Sequence, residues 1–155
     1  MKLTYRTMQP EEADRAAELV SRTFLEFVAP AYPPEGTQTF LTYAGADPLR
    51  ERLAAGAVTL IALEGNDLVG MIEMRRLDHI SLLFVDGQHQ GRGIARELTR
   101  RALAIARAAD PALTRVTVNS SPNAVEAYRR LGFQLTDDLQ QQNGIIYQPM
   151  ALTLP

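Results

Sequence analysis

The chain has no cysteine, which excludes disulfides, thiol nucleophiles and cysteine-bound zinc. Histidine is almost as scarce. His79 and His89 are the only two, too few for a histidine metal cluster, and no metal is expected. Lys2 is the sole lysine, so the basic charge is nearly all arginine. No stretch approaches the roughly 20 apolar residues of a membrane span, and the opening "MKLTYRTMQPEEAD" has no long apolar core and turns acidic early. A cytoplasmic protein without a membrane partner is the expectation. The net charge of -2 argues against a general nucleic-acid binder.

What is present fits an ordinary globule, with 46% hydrophobic and 22% charged residues. A single domain over 1–155 is expected, long enough to bury roughly 70% of its unfolded surface. The positive charge is uneven: Arg92, Arg96, Arg100, Arg101 and Arg107 crowd one short segment.

Periodicity predicts the elements. Residues 3–7 alternate as a strand. Pro10 and its acids open a helix with Ala13, Ala16, Ala17, Val20, Phe24 and Phe27 on one stripe. A second helical stretch over 36–55 is interrupted at "GADP". Residues 57–77 read as a hairpin turning at Gly65-Asn66, and 79–85, "HISLLFV", as a central strand. The clearest helix covers 92–109, with Ile94, Leu98, Ala102, Ile105 and Ala109 on one face. Then come a strand at 113–119 and a helix in "SPNAVEAYRRL", N-capped by Ser121 and ended by Gly132. Two strands, "FQLTDDL" and "IIYQPMALTL", joined through Asn143-Gly144, complete an α/β chain with a mixed sheet.

The informative stretch is "FVDGQHQGRGIARELTRR", residues 84–101. Gly91 and Gly93 let the backbone approach a ligand closely, and the helix behind them offers unpaired amides and a positive dipole end. That is an anion cradle, to which Arg92 and Arg96 can add charge. It is not Walker A, which needs Gly-Lys-Ser/Thr. It is not the dinucleotide fingerprint, because Arg96 stands where a third glycine is required.

"QGRGIA" resembles the Gln/Arg-x-x-Gly-x-Gly/Ala signature of the GNAT superfamily, the acetyl-CoA-dependent N-acetyltransferases, through Gln90, Gly93 and Ala95. "NSSPNAVEAYRRLGF" resembles that family's Asn-x-x-Ala-x-x-x-Tyr-x-x-x-Gly-Phe segment through Ala124, Tyr128, Gly132 and Phe133. Gly87 stands at a usual proline and Ser121 at a usual asparagine. The resemblance covers essentially the whole chain. It implies a mostly antiparallel sheet of six to seven strands, splayed at its central strands and flanked by about four helices.

The resemblance also implies acetyl-CoA as co-substrate. Its pyrophosphate would rest on the amides of Gln90, Gly91, Arg92, Gly93, Ile94 and Ala95. Its pantetheine would lie along Leu83, Phe84 and Val85 as an added strand, with Ser121, Asn123 and Tyr128 on the other side. Tyr128 matches the family's general acid, and a strand amide near Leu83 would polarise the thioester carbonyl. The base stays open between His79, Glu73 and ordered water. His79 is expected on the face of Ser81, Leu83 and Val85, and His89 at the surface. Phe27, Tyr32, Phe40 and Tyr43 would give the acceptor site aromatic character, with Glu26 and Glu35 placed to hold a cationic amine. The expected partners are acetyl-CoA and an amine acceptor on a small molecule or protein, with a homodimer left open. A non-catalytic acetyl-CoA sensor or interaction module is the competing reading.

Overall fold

The computed structural model describes residues 2–155 as two sheets that share one interrupted strand. Strand β1 (Leu3–Thr7) pairs antiparallel with β2 (Val58–Glu64), β2 with β3 (Asp67–Met74), and β3 with β5 (Leu82–Val85). The second sheet starts from β4 (His79–Ile80), which runs parallel to β6 (Arg115–Ser120). Next to β6 lies β9 (Ile145–Thr153), edged by β7 (Gln134–Leu135) and, at its start, by β8 (Gln140–Gln142). The mixed, mainly antiparallel architecture is as expected. The helices are five: α1 (Ala13–Phe27), α2 (Pro34–Tyr43), α3 (Ala46–Ala54), α4 (Ile94–Ala109) and α5 (Val125–Arg130). None is long and apolar enough to cross a membrane.

The two longest helices cover opposite faces of the first sheet. On one side α1 buries Ala13, Ala16, Val20 and Leu19 against Ile61, Met71 and Leu82. On the other α4 buries Ile94, Leu98, Ala102 and Ala106 against Leu60, Ala62 and Ile72. Spacing of four places these α4 residues on one stripe. Burying a large apolar side chain of this kind contributes about 1.5–3 kcal/mol. Ile105 and Ala109 lie outside the stripe and are exposed, contrary to the sequence reading. Helix α4 comes so close to β3 that a Cβ on Gly70 would stand 3.0 Å from Ile94 Cγ2.

Residues 79–85 are not one regular strand. The chain leaves one sheet and joins the other at Ser81, whose amide donates to the Glu73 carbonyl (2.9 Å) and whose hydroxyl donates to the Glu73 carboxylate (2.7 Å). The break shifts the alternation by one. Ile80 packs in the α4-side core with Leu83 and Val85, whereas Leu82 and Phe84 pack on the α1 side. His79 therefore faces away from Leu83 and Val85 and bonds Thr117 instead.

The C-terminal region departs most from expectation. Asn143 (φ 52°) and Gly144 (φ 79°) make the hairpin turn, as residues with positive φ at both turn positions must. The strand entering it is 140–142, and only Gln134–Leu135 of the expected 133–139 strand is extended in a ladder. Ser121 makes no side-chain cap; a 3-10 turn, Pro122–Ala124, precedes α5. Gly132 (φ 102°) does end that helix.

Candidate active site

The glycine turn links β5 to α4. Gly91 and Gly93 both have φ of 80°, a left-handed conformation that favours glycine, and a Cβ on either would meet no protein atom within 4 Å. The side-chain volume missing there opens outward. The first bond of α4 is Glu97 N–H to Gly93 O (3.0 Å), so the amides of Ile94, Ala95 and Arg96 have no intrahelical acceptor. Ile94 buries its side chain in the core, so only its backbone can serve a ligand. The turn fits an anion on the strength of its backbone alone.

Its side chains do something else. Arg92, expected to reach toward the anion, pairs with Glu64 (2.7 Å). Arg96 donates to the Arg130 carbonyl (3.1 Å), closing the end of α5. His89, expected at the surface, is held between Asp86 (Nδ1, 2.7 Å) and Glu64 (Nε2, 3.1 Å), and Arg22 of α1 pairs with Asp86. Hydrogen bonds from Asp86 and then Glu64 raise the His89 pKa above its ordinary value. Arg22 first, then His89, lowers that of Asp86. The turn is thereby stapled to α1 and to the end of β2.

From Gln90 a cavity of about 620 Å³ runs inward between the two sheets. One wall is β5, whose outer edge carries no strand because it is the last member of its sheet. Facing it are Val118, Asn119, Ser121, Asn123, Ala124 and Tyr128. Deeper in, the lining becomes aromatic: Phe24 stacks on Phe40 (4.1 Å between centroids, 6° between planes) and meets Tyr32 edge-on (5.4 Å). Helix α2 holds that wall to the β8–β9 turn. Tyr32 Oη donates to Ile146 O (2.9 Å), Thr39 Oγ1 to Asn143 O (3.1 Å), and Gly36 touches Gly144 so closely that a Cβ on Gly36 would lie 1.9 Å from the Gly144 oxygen.

The expected residues separate along this cavity. Leu83, Phe84, Val85, Gln90, Ser121, Asn123, Tyr128 and His79 line it, and the amides at 91–95 stand at its outer end. Tyr128 is buried, its ring edge-on to Phe133 (5.5 Å, 73°). No hydrogen bond engages its hydroxyl among the described residues, and burial raises its pKa, so the phenol keeps its proton. His79 is half-buried with Nδ1 2.7 Å from Thr117 Oγ1. Burial, then the nearby Arg76 and Arg75, lowers its pKa, which leaves it neutral and able to accept a proton near pH 7.

Glu73 is corrected as a base. It is fully buried, does not line the cavity, and accepts bonds from Arg52 Nε (2.8 Å), Tyr43 Oη (2.9 Å) and Ser81 Oγ (2.7 Å). A base needs a lone pair turned to the substrate, and these are taken. Glu26 and Glu35 do not line the cavity either. Arg75, which the sequence reading did not single out, does line it. Its only signal was the pair of arginines closing an apolar strand, which reads equally as a solvated strand end.

A split sheet with an apolar cleft and a backbone anion cradle at its mouth defines a class: proteins that hold a long, phosphate-bearing ligand extended between two sheets. The family model for the acetyltransferase (GNAT) domain matches residues 28–154, and the chain belongs to that family. It is an acetyltransferase by family. No curated protein sequence matches it. Among solved structures it is similar to a GCN5-related N-acetyltransferase from Rhodopseudomonas palustris (23% identity, TM-score 0.83, covering 99% of this chain and 97% of that one). It is also similar to the PaiA N-acetyltransferase of Thermoplasma acidophilum, solved with coenzyme A (16%, 0.83, 99% and 100%). A third is YncA, a putative acetyltransferase from Salmonella typhimurium solved with acetyl-CoA (19%, 0.70, 100% and 95%).

Proposed function

We propose that the chain transfers the acetyl group of acetyl-CoA to a primary amine by direct attack. The observation that carries this is the continuity of one cavity, from the glycine turn past the open edge of β5 to Tyr128 and His79, and on into an aromatic recess. When bound, acetyl-CoA supplies an acetyl thioester. The amides at 90–95 hold its pyrophosphate, and the free edge of β5 at Leu83, Phe84 and Val85 pairs with its pantetheine arm. Asn123 and Ser121 border that arm from the second sheet.

The amine lone pair forms the new C–N bond as the C–S bond breaks and its electrons leave on sulfur. Tyr128 donates its hydroxyl proton to the thiolate, and the proton lost from nitrogen passes to His79, directly or through water. A backbone amide of β5 near Leu83 polarises the carbonyl. The products are an acetamide and free CoA. A single functional unit over the whole chain and a cytoplasmic location are part of the same proposal.

The test has two readouts. Acetyl-CoA at 100 times its Kd should stabilise the fold by about 2.7 kcal/mol in a thermal-shift assay. Thiol release over a panel of amines should then give turnover with at least one of them. Thermal shift without turnover on any amine would favour the non-catalytic sensor. No thermal shift would remove the cofactor assignment as well.

A further inference from the structure

The part of the cavity beyond Tyr128 has an unusual charge balance. Its walls carry Phe24, Phe27, Tyr32, Phe40 and Tyr43, yet no aspartate or glutamate lines it. The one residue of permanent charge among the lining is Arg75. Most other charges nearby are matched: Arg52, 3.7 Å from the Tyr43 ring centroid, is paired with Glu73 at 2.8 Å, and Arg76 lies 3.5 Å from Asp78. Arg75, 5.8 Å from the same tyrosine ring, makes no ion pair among the described residues.

An acid-free aromatic recess with an unmatched guanidinium at its rim is poorly suited to a polycation. It suits a ligand with an apolar or aromatic body and an anionic group. The guanidinium fork matches the geometry of a carboxylate, which two parallel N–H bonds can hold. We propose that the acceptor is an amine that also bears a carboxylate, an amino acid with an aromatic or large apolar side chain, and that Arg75 reads the carboxylate. This rests on the acetyltransferase reading above. Arg75 is then the residue that decides specificity, while Tyr128 and His79 serve every acceptor alike. The same positive charge disfavours the ammonium form of the incoming amine and so favours the nucleophilic free base.

The experiment compares L-phenylalanine, 2-phenylethylamine (the same body without the carboxylate) and spermidine as acceptors, by CoA release. In the wild type kcat/KM for phenylalanine should exceed that for phenylethylamine by tenfold or more, with spermidine lowest. Arg75→Gln should raise KM for phenylalanine by a similar factor, leave phenylethylamine nearly unchanged, and keep the acetyl-CoA thermal shift intact. Arg75→Lys should recover part of the preference, since it restores charge without the fork. Equal or better turnover of phenylethylamine or spermidine would overturn the proposal, as would an Arg75→Gln enzyme that keeps the wild-type ratio. If no amine turns over, titration calorimetry with CoA present decides separately. N-acetylphenylalanine binding no tighter than N-acetylphenylethylamine would sink the carboxylate assignment, and tighter binding lost in Arg75→Gln would uphold it whatever becomes of catalysis.

Discussion

The two ends of the cavity are built in different ways. At the outer end the contacts on offer are backbone amides, positioned by two left-handed glycines and one helix start, and the side chains there look elsewhere: Arg92 to Glu64, Arg96 to Arg130. At the inner end the surface is almost all side chain, contributed by α1, α2 and the 79–85 segment, with Ile145 of β9 added. A backbone site constrains which positions must be glycine and little else. A side-chain site can be rebuilt residue by residue on an unchanged frame. The first kind of site tolerates no change of ligand, and the second is where acceptor choice resides.

The contrast can be broken at several points. The largest effect should come from Gly93→Asp, which forces a branched, anionic residue into a left-handed conformation and places negative charge at the cradle. Acetyl-CoA binding should be lost, read as disappearance of the thermal shift, and a full shift in the variant would mean the anion sits elsewhere. Next is Tyr128→Phe, which keeps the ring against Phe133. Acetyl-CoA affinity should hold while kcat falls by roughly 10²–10⁴, the usual worth of general acid catalysis. A kcat within about twofold, with chemistry rate-limiting, would reduce Tyr128 to packing.

Gly36→Ala sharpens the inner end. Alanine suits a helix better by about 1 kcal/mol, but its Cβ would meet the Gly144 backbone oxygen at 1.9 Å, and backbone cannot rotate aside. Overpacking of this sort costs about 1–3 kcal/mol. The α2 wall should shift, raising KM for the acceptor while the acetyl-CoA thermal shift at saturation changes by no more than the loss in stability itself.

The smallest effect concerns His89. Its folded pKa is raised by Asp86 and Glu64, so the stability it adds is complete below its ordinary pKa of about 6.5 and fades as pH rises through the higher folded value. Acetyl-CoA affinity should weaken modestly from pH 6.5 upward as the staple on the turn loosens. His89→Gln should flatten that slope, and an unchanged slope would mean that the staple does not govern the turn.

Legibility in the sequence followed the same division. The cradle could be read because glycine spacing and a helix start are local, and Gly132 ending α5 could be read for the same reason. Tyr128 came through its segment motif. The acceptor end was read poorly. Whether Glu73 or His79 faces the cleft depends on the break at Ser81, which exists only because Ser81 bonds a residue eight positions earlier. Period-two counting assumes an unbroken strand and so put His79 on the wrong face. The fate of Glu26, Glu35 and Arg75 depends on how α1 and α2 pack, and nothing near them in sequence records it. The C-terminal strands were displaced because Gln148 bonds the Asp137 carbonyl (2.6 Å), a contact that bends 136–139 out of the ladder and has no local signature.

The order of strands in the second sheet bears on synthesis. The first sheet needs nothing beyond Val85, and its pairings join segments that leave the ribosome early. In the second, β9 lies between β6 and β7 although it follows both in the chain, so that sheet stays open until Thr153 is available. The newborn chain can therefore present β5 and the glycine turn while the opposite wall of the cleft is still incomplete. Because the cofactor cleft needs both sheets, the capacity to grip acetyl-CoA arrives with the last strand made, and the half-built protein is spared a ligand it could not use.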